Sequence, residues 1–137
     1  MRVLIFGCDR LSANLVEDIS RRDNRVTVLG DDRDCLERIS SSLGVRVVLM
    51  SEPMMQDYLQ EGSIDHCDVF LAMSSDDHQN ILVSQIAKHI YNVPKVICHL
   101  DSPQLQVTYA ALGLDVIGYS FGLLQDVRQL IQRPTQV

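Results

Sequence analysis

No apolar run in the chain approaches the roughly 20 residues that cross a bilayer, and the N-terminus has no long apolar region of the signal-peptide kind. A cytoplasmic protein with no direct membrane insertion is expected. The chain also lacks a Cys-x-x-Cys pair: Cys8, Cys35, Cys67 and Cys98 stand about thirty residues apart. That spacing fits reduced, buried thiols better than a disulfide framework or a zinc site. Cys8 is the one placed for a redox role, because a thiol near a helix N-terminus can have a depressed pKa. There is no basic excess: Lys and Arg number 12 against 18 Asp and Glu, a net charge of -6. With no run of basic residues either, nucleic acid is excluded as an expected partner. No Ser/His/Asp or Cys/His constellation is legible, and a single α/β domain of this kind is expected to lack the second domain that usually carries substrate to a nicotinamide. No catalytic residue is assigned, and the chain is not expected to be an enzyme.

What is present is one domain, residues 1–137, with 46% hydrophobic residues and a mean hydropathy of +0.04. That length supports a substantial core. The opening stretch organises the rest. Val3-Leu4-Ile5-Phe6 ends at Gly7, and an amphipathic helical pattern starts within four residues, as in the first strand, turn and helix of a nucleotide-binding α/β fold. The dinucleotide fingerprint spaces three glycines as Gly-x-Gly-x-x-Gly. Here those positions hold Gly7, Asp9 and Ser12, so only the first glycine is kept.

The replacement at the second position has an electrostatic sign. A pyrophosphate lies on the free N–H groups at a helix N-terminus, and Asp9 already puts a carboxylate there. Two unit charges about 4 Å apart repel by roughly 1 kcal/mol in water and roughly 4 kcal/mol at a protein-surface dielectric. Asp9 is therefore read as an N-cap of the first helix, with nucleotide binding weakened or absent. Arg10, able to fold over a phosphate, is the reason the site is retained as a candidate.

The rest of the chain alternates strand and helix. Strands are expected at Arg25–Gly30, Val45–Met50, Cys67–Ser74, Lys95–Leu100 and Asp115–Gly118. Between them, helical spacing joins Leu11, Leu15, Val16 and Ile19, then Leu36, Ile39 and Leu43. A short helix from Pro53 carries Met54, Met55, Tyr58 and Leu59, its methionines read as core filler. A longer helix from Ser75 to Tyr91 turns Leu82, Val83, Ile86, Ala87 and Ile90 to one face. Pro103–Leu112 and Ser120–Gln132 complete the set, the last with Leu123, Leu124, Val127, Leu130 and Ile131 inward. The pattern predicts a single doubly wound, mainly parallel, six-stranded Rossmann-like α/β sheet with helices on both faces. Where dinucleotide binders carry a ribose-holding acid at the end of the second strand stands Gly30, with Asp31 one step later as a substitute or as helix-start charge.

Five segments in order carry a family resemblance. They are the opening turn, Leu59-Gln60-Glu61-Gly62-Ser63-Ile64-Asp65-His66-Cys67-Asp68, Leu71-Ala72-Met73-Ser74-Ser75-Asp76-Asp77-His78-Gln79-Asn80, Val93-Pro94-Lys95-Val96-Ile97-Cys98-His99 and Leu112-Gly113-Leu114-Asp115-Val116-Ile117. Together they resemble the N-terminal domain of the RCK (regulator of K⁺ conductance, or KTN) family, the cytoplasmic regulatory domain of bacterial potassium channels and transporters. The resemblance implies binding of NAD(H) or an adenine nucleotide (ATP, ADP or AMP) across the strand ends. It implies a homodimer or higher ring, and a membrane potassium channel or transporter subunit as partner. Carried onto this chain, the nucleotide site comprises Gly7, Cys8, Asp9, Arg10, Leu11, Gly30, Asp31, Asp32, Ser51, Glu52, Ser74, Ser75 and His99. Departures fall within that set: the family's Gly-Asp-Ala-Thr-like segment reads Ser51-Glu52-Pro53-Met54, and His99 stands where an arginine is expected.

Acids crowd the expected carboxyl ends of the strands: Asp9, Asp31, Asp32, Glu52, Asp76, Asp77 and Asp101. Helix capping and solubilising charge account for them most simply, a divalent-cation site less so. His66, His78 and His99 lie near the same edge without the tight spacing of zinc ligands. Three functions remain in view. The first is a nucleotide-sensing regulatory domain of potassium transport, the second a ligand-free scaffold that pairs with a nucleotide-competent homologue, and the third, least favoured, a small NAD(P)-dependent enzyme or redox sensor.

Overall fold

Short β-branched segments build a single six-stranded sheet in a computed structural model that describes residues 1–51 and 55–132. Its strands are β1 (Arg2–Phe6), β2 (Arg25–Gly30), β3 (Arg46–Leu49), β4 (Val69–Ala72), β5 (Lys95–His99) and β6 (Asp115–Ile117). Their spatial order is β3-β2-β1-β4-β5-β6, with every neighbouring pair parallel. The chain starts in the middle, winds outward to β3, then returns past β1 to build the other half. This places a topological switch point between β1 and β4.

Alternation along β1 shows why a continuous apolar strand is needed. Leu4 and Phe6 enter one core with Leu59, Phe70, Val83 and Ala87, while Val3 and Ile5 enter a second with Val16, Val28, Leu36 and Ile39. A strand buried on both faces cannot spare either parity for polar residues. The second core is closed by α1 (Arg10–Ser20) and α2 (Arg33–Leu43). The first is closed by α3 (Met55–Glu61), a 3₁₀ turn at Ile64–His66, α4 (Asp77–His89) and α5 (Pro103–Ala111). Pro53 and Met54, expected in α3, lie outside the described residues; Met55 packs partly buried against the first core.

Two helical faces differ from expectation. In α4 the buried positions are Asn80, Ile81, Val83, Ser84 and Ala87, while Leu82 and Ile90 are exposed. Two polar residues on the inner face displaced the apparent apolar stripe. In α6 (Tyr119–Gln132), Leu123, Leu130 and Ile131 are about two-thirds or more exposed rather than inward, and Val127 is 44% exposed. The edge strand β6 has only three residues, too little sheet to cover a 14-residue helix roughly 21 Å long.

Candidate functional site

Gly7 sets the geometry of the first turn. Its φ is +110°, and a Cβ there would stand 2.6 Å from the backbone nitrogen of Ser74. Only glycine lets the β1 turn press against the β4 turn, which is how the switch point closes. Gly30 is tight for a different reason: a Cβ would lie 3.1 Å from that of Cys8, so the end of β2 fits directly under the first turn.

Asp9 and Ser12, the two residues that replace fingerprint glycines, form one capping box. The Ser12 N–H donates to Asp9 Oδ1 at 2.9 Å, and the Asp9 N–H donates to Ser12 Oγ at 2.7 Å. Each substitution makes sense only beside the other. The carboxylate thus sits at the positive end of α1 and occupies one of the amides on which an anion would rest. Arg10 and Leu11 are the first two residues of α1.

The other expected acids divide sharply. Asp32 caps α2, accepting the Cys35 N–H at 3.1 Å. Asp76 caps α4 by accepting from His78 at 2.9 Å and Gln79 at 3.1 Å. Asp77 accepts the backbone N–H groups of Asp101 and Ser102 at 2.9 and 2.8 Å, tying α4 to the β5–α5 turn. Asp31 is exposed and, among the described residues, accepts no hydrogen bond that would occupy it. It stands exposed directly after the last residue of β2. Glu52 lies outside the described residues.

On the β4 and β5 side, a fully buried Asn80 fastens the edge. Its amide donates to the carbonyls of Ser74 at 2.8 Å and His99 at 2.9 Å, and its Oδ1 accepts from the Ser74 N–H and Oγ. Sequence reasoning placed Ser74 and His99 in the site but not the residue that positions both. Its place as an asparagine just inside a helix start, closing the family-like segment of residues 71–80, was the available signal. Ser75 is exposed beside them. The His99 side chain is 12% exposed, with Nε2 3.7 Å from Asp101 Oδ1 and no hydrogen-bond partner among the described residues. Ser51 meets the Tyr58 hydroxyl at 3.3 Å. Among the described residues no three His, Cys, Asp or Glu side chains come together as a metal site.

The cysteines require a correction. Cys8 and Cys35 form a disulfide, with Cα atoms 6.0 Å apart, whereas all four thiols were expected to be reduced. A 27-residue separation hides the proximity, because β2 lies parallel beside β1 and delivers the start of α2 to the first turn. Cys67 and Cys98 are free and buried, as expected. Burial pushes both thiols up to about 11, with the neighbouring Asp68 raising Cys67 further and the Ser84 hydroxyl partly offsetting the rise at Cys98. A groove of about 480 Å³ runs beside the disulfide between α1 and α2, lined by Asp9, Ala13, Asn14, Glu17, Cys35 and Arg38 among others. A second cavity of about 610 Å³ lies at the opposite edge of the sheet, near Arg2, Arg25 and Arg46. These three arginines, distant in sequence, line that cavity together.

The sheet order, the glycine turn at its switch point and the helices on both faces define a Rossmann-type domain. More narrowly, the chain belongs to the TrkA-N domain family, whose model matches residues 3–120. The Trk system potassium uptake protein TrkA of Streptomyces coelicolor is 29% identical over 117 residues, covering 85% of this chain and 52% of that protein. The chain thus spans about half the length of this curated relative. Two solved structures share the fold. The TrkA-N domain of inner membrane protein ybaL from Escherichia coli has a TM-score of 0.76 at 14% identity, covering 96% of each chain. The Kef CTD of Shewanella denitrificans in its AMP-bound form has a TM-score of 0.73 at 14% identity, covering 97% of this chain and 83% of that one.

Proposed function

We propose that this domain is a regulatory nucleotide sensor of a potassium-uptake system, working in the cytoplasm beside a membrane transporter subunit. The observation that carries the reading is a TrkA-N-type switch point whose first turn is capped by its own carboxylate. The nucleotide phosphates would lie over Gly7 to Leu11, with Ser12 already engaged, and Asp31 would meet the ribose hydroxyls. Ser74, Ser75 and His99 face the other half of the crevice. NAD(H) and the adenine nucleotides share the phosphate–ribose–adenine chemistry that these positions suit, and the AMP-bound Kef relative supports that class.

Asp9 weakens the interaction without abolishing it. Its carboxylate repels the phosphate, and its claim on the Ser12 amide removes a donor. Such a sensor responds only when nucleotide is abundant. The exposed apolar residues of α6 supply a surface for a homodimer or ring. A second reading, a ligand-free scaffold paired with a competent homologue, is favoured by the same self-capped turn. Among the described residues, the site arranges no nucleophile beside a base for enzymatic work.

Calorimetric titration with AMP and with NAD separates the two. A dissociation constant below 1 mM, on the order expected for a weakened site, supports sensing. The absence of heat with both nucleotides rejects it in favour of the scaffold.

A further inference from the structure

The disulfide joins two elements that a nucleotide must bridge. Cys8 follows Gly7 in the β1–α1 turn, and Cys35 is the third residue of α2, directly after the cap formed by Asp32. The bond therefore spans the end of β2, where Gly30 is pressed against Cys8 and Asp31 awaits a ribose. Asp9 and its capping box are next in sequence to Cys8. Fixing Cys8 to α2 restricts the backbone freedom that the turn would need to release the Ser12 amide.

We propose that Cys8–Cys35 is a reversible dithiol–disulfide site that locks the first turn in its self-capped, phosphate-excluding form when oxidised and frees it when reduced. The site rests on the nucleotide-sensing reading for its consequence, but not for its chemistry. Its reductant is a dithiol, whether a small molecule or a protein. Cys8 is partly exposed and Cys35 is buried, so the incoming thiolate attacks Cys8 Sγ. The Cys8–Cys35 bond breaks, Cys35 leaves as a thiolate and takes a proton, and a mixed disulfide remains on Cys8. The second thiol of the reductant, once deprotonated, attacks its own sulfur in that mixed disulfide and releases Cys8, which is then protonated. Two electrons and two protons pass to the protein, and the dithiol becomes a disulfide. Cys67 and Cys98 stay out of this exchange: both are buried, and thiols raised to about 11 hold almost no thiolate at neutral pH.

The test equilibrates the full chain with mixtures of reduced and oxidised dithiothreitol, then alkylates it and maps the cysteines by mass spectrometry. Hydrogen exchange and AMP titration are run on both end states. The expected result is a two-electron transition confined to Cys8 and Cys35. On reduction, amide exchange at residues 8–12 and 33–36 speeds at least threefold and AMP binds at least threefold tighter. Cys35→Ser, which cannot close the bond, matches the reduced form under every condition. Cys8 and Cys35 that never pair, or a bond that resists dithiol in the native protein, overturns the proposal. So does measurable AMP binding of equal affinity in both states. If pairing and exchange behave as expected but neither state binds AMP, the lock stands and the nucleotide reading falls.

Discussion

Asn80 shows how much one side chain can carry. All the hydrogen-bonding directions used here, two donated and two accepted, go to Ser74 and His99, so the ends of β4 and β5 are held through a single carboxamide. Asn80→Ala would remove the partner of the part-buried Ser74 and His99 backbone groups, at a cost of about 1–3 kcal/mol each. A loss of roughly 3 kcal/mol in urea unfolding is expected; a loss under about 1 kcal/mol would mean that water replaces the amide. At this scale the sequence was uneven. Asp9 was legible as a cap because an acid before an amphipathic run has few other uses. Its partnership with Ser12 was not, because Ser12 was seen only as a missing glycine. The Cys8–Cys35 pair was invisible, since adjacency across β1 and β2 is a property of strand pairing and not of spacing.

Among the elements, strands were more readable than helical faces. The continuous apolar runs of β1 and β4 suit strands covered on both faces, and each pairs with a strand on either side. Helix α4 misled because its inner face includes Asn80 and Ser84, which hydropathy counts as outer. Helix α6 misled differently: its apolar residues follow helical periodicity, yet Leu130 and Ile131 are 67% and 77% exposed. Periodicity reports that a face seeks cover, not which molecule covers it. In the proposed assembly that cover is a second copy. The double variant Leu130→Glu, Ile131→Glu should weaken self-association at least tenfold in sedimentation equilibrium, while the isolated domain's stability changes by only about 0.5 kcal/mol. Wild-type protein that stays monomeric at 0.1 mM or so, a concentration at which interfaces of micromolar affinity are filled, would remove α6 from the assembly.

Across the whole molecule, acids crowd the carboxyl edge of the parallel sheet, while the amino edge mixes arginines with Asp23 and Asp68. Arg2, Arg25 and Arg46 begin strands and gather at the amino edge, whereas Asp9, Asp31, Asp32, Asp76, Asp77 and Asp101 follow strand ends at the carboxyl edge. Arg46 is anchored there by the Glu61 carbonyl at 2.7 Å and Ser63 Oγ at 3.4 Å. The ligand edge of a nucleotide-binding fold has thereby become the negative one. Strand–helix alternation made the architecture legible in full, but the division of labour among the acids required coordinates. Most of them serve the fold: Asp9, Asp32 and Asp76 cap helices and Asp77 ties two turns, while Asp31 stands exposed at the end of β2.

The central claim is that the Asp9 carboxylate, and no wider failure of the crevice, limits nucleotide binding. Asp9→Gly tests it directly, since glycine is tolerated at an N-cap at a cost of only a few tenths of a kcal/mol. Calorimetry with AMP, on wild type and variant both kept reduced, should give at least tenfold tighter binding by the variant, about 1.4 kcal/mol. Equal or weaker binding by a folded Asp9→Gly protein would contradict the account.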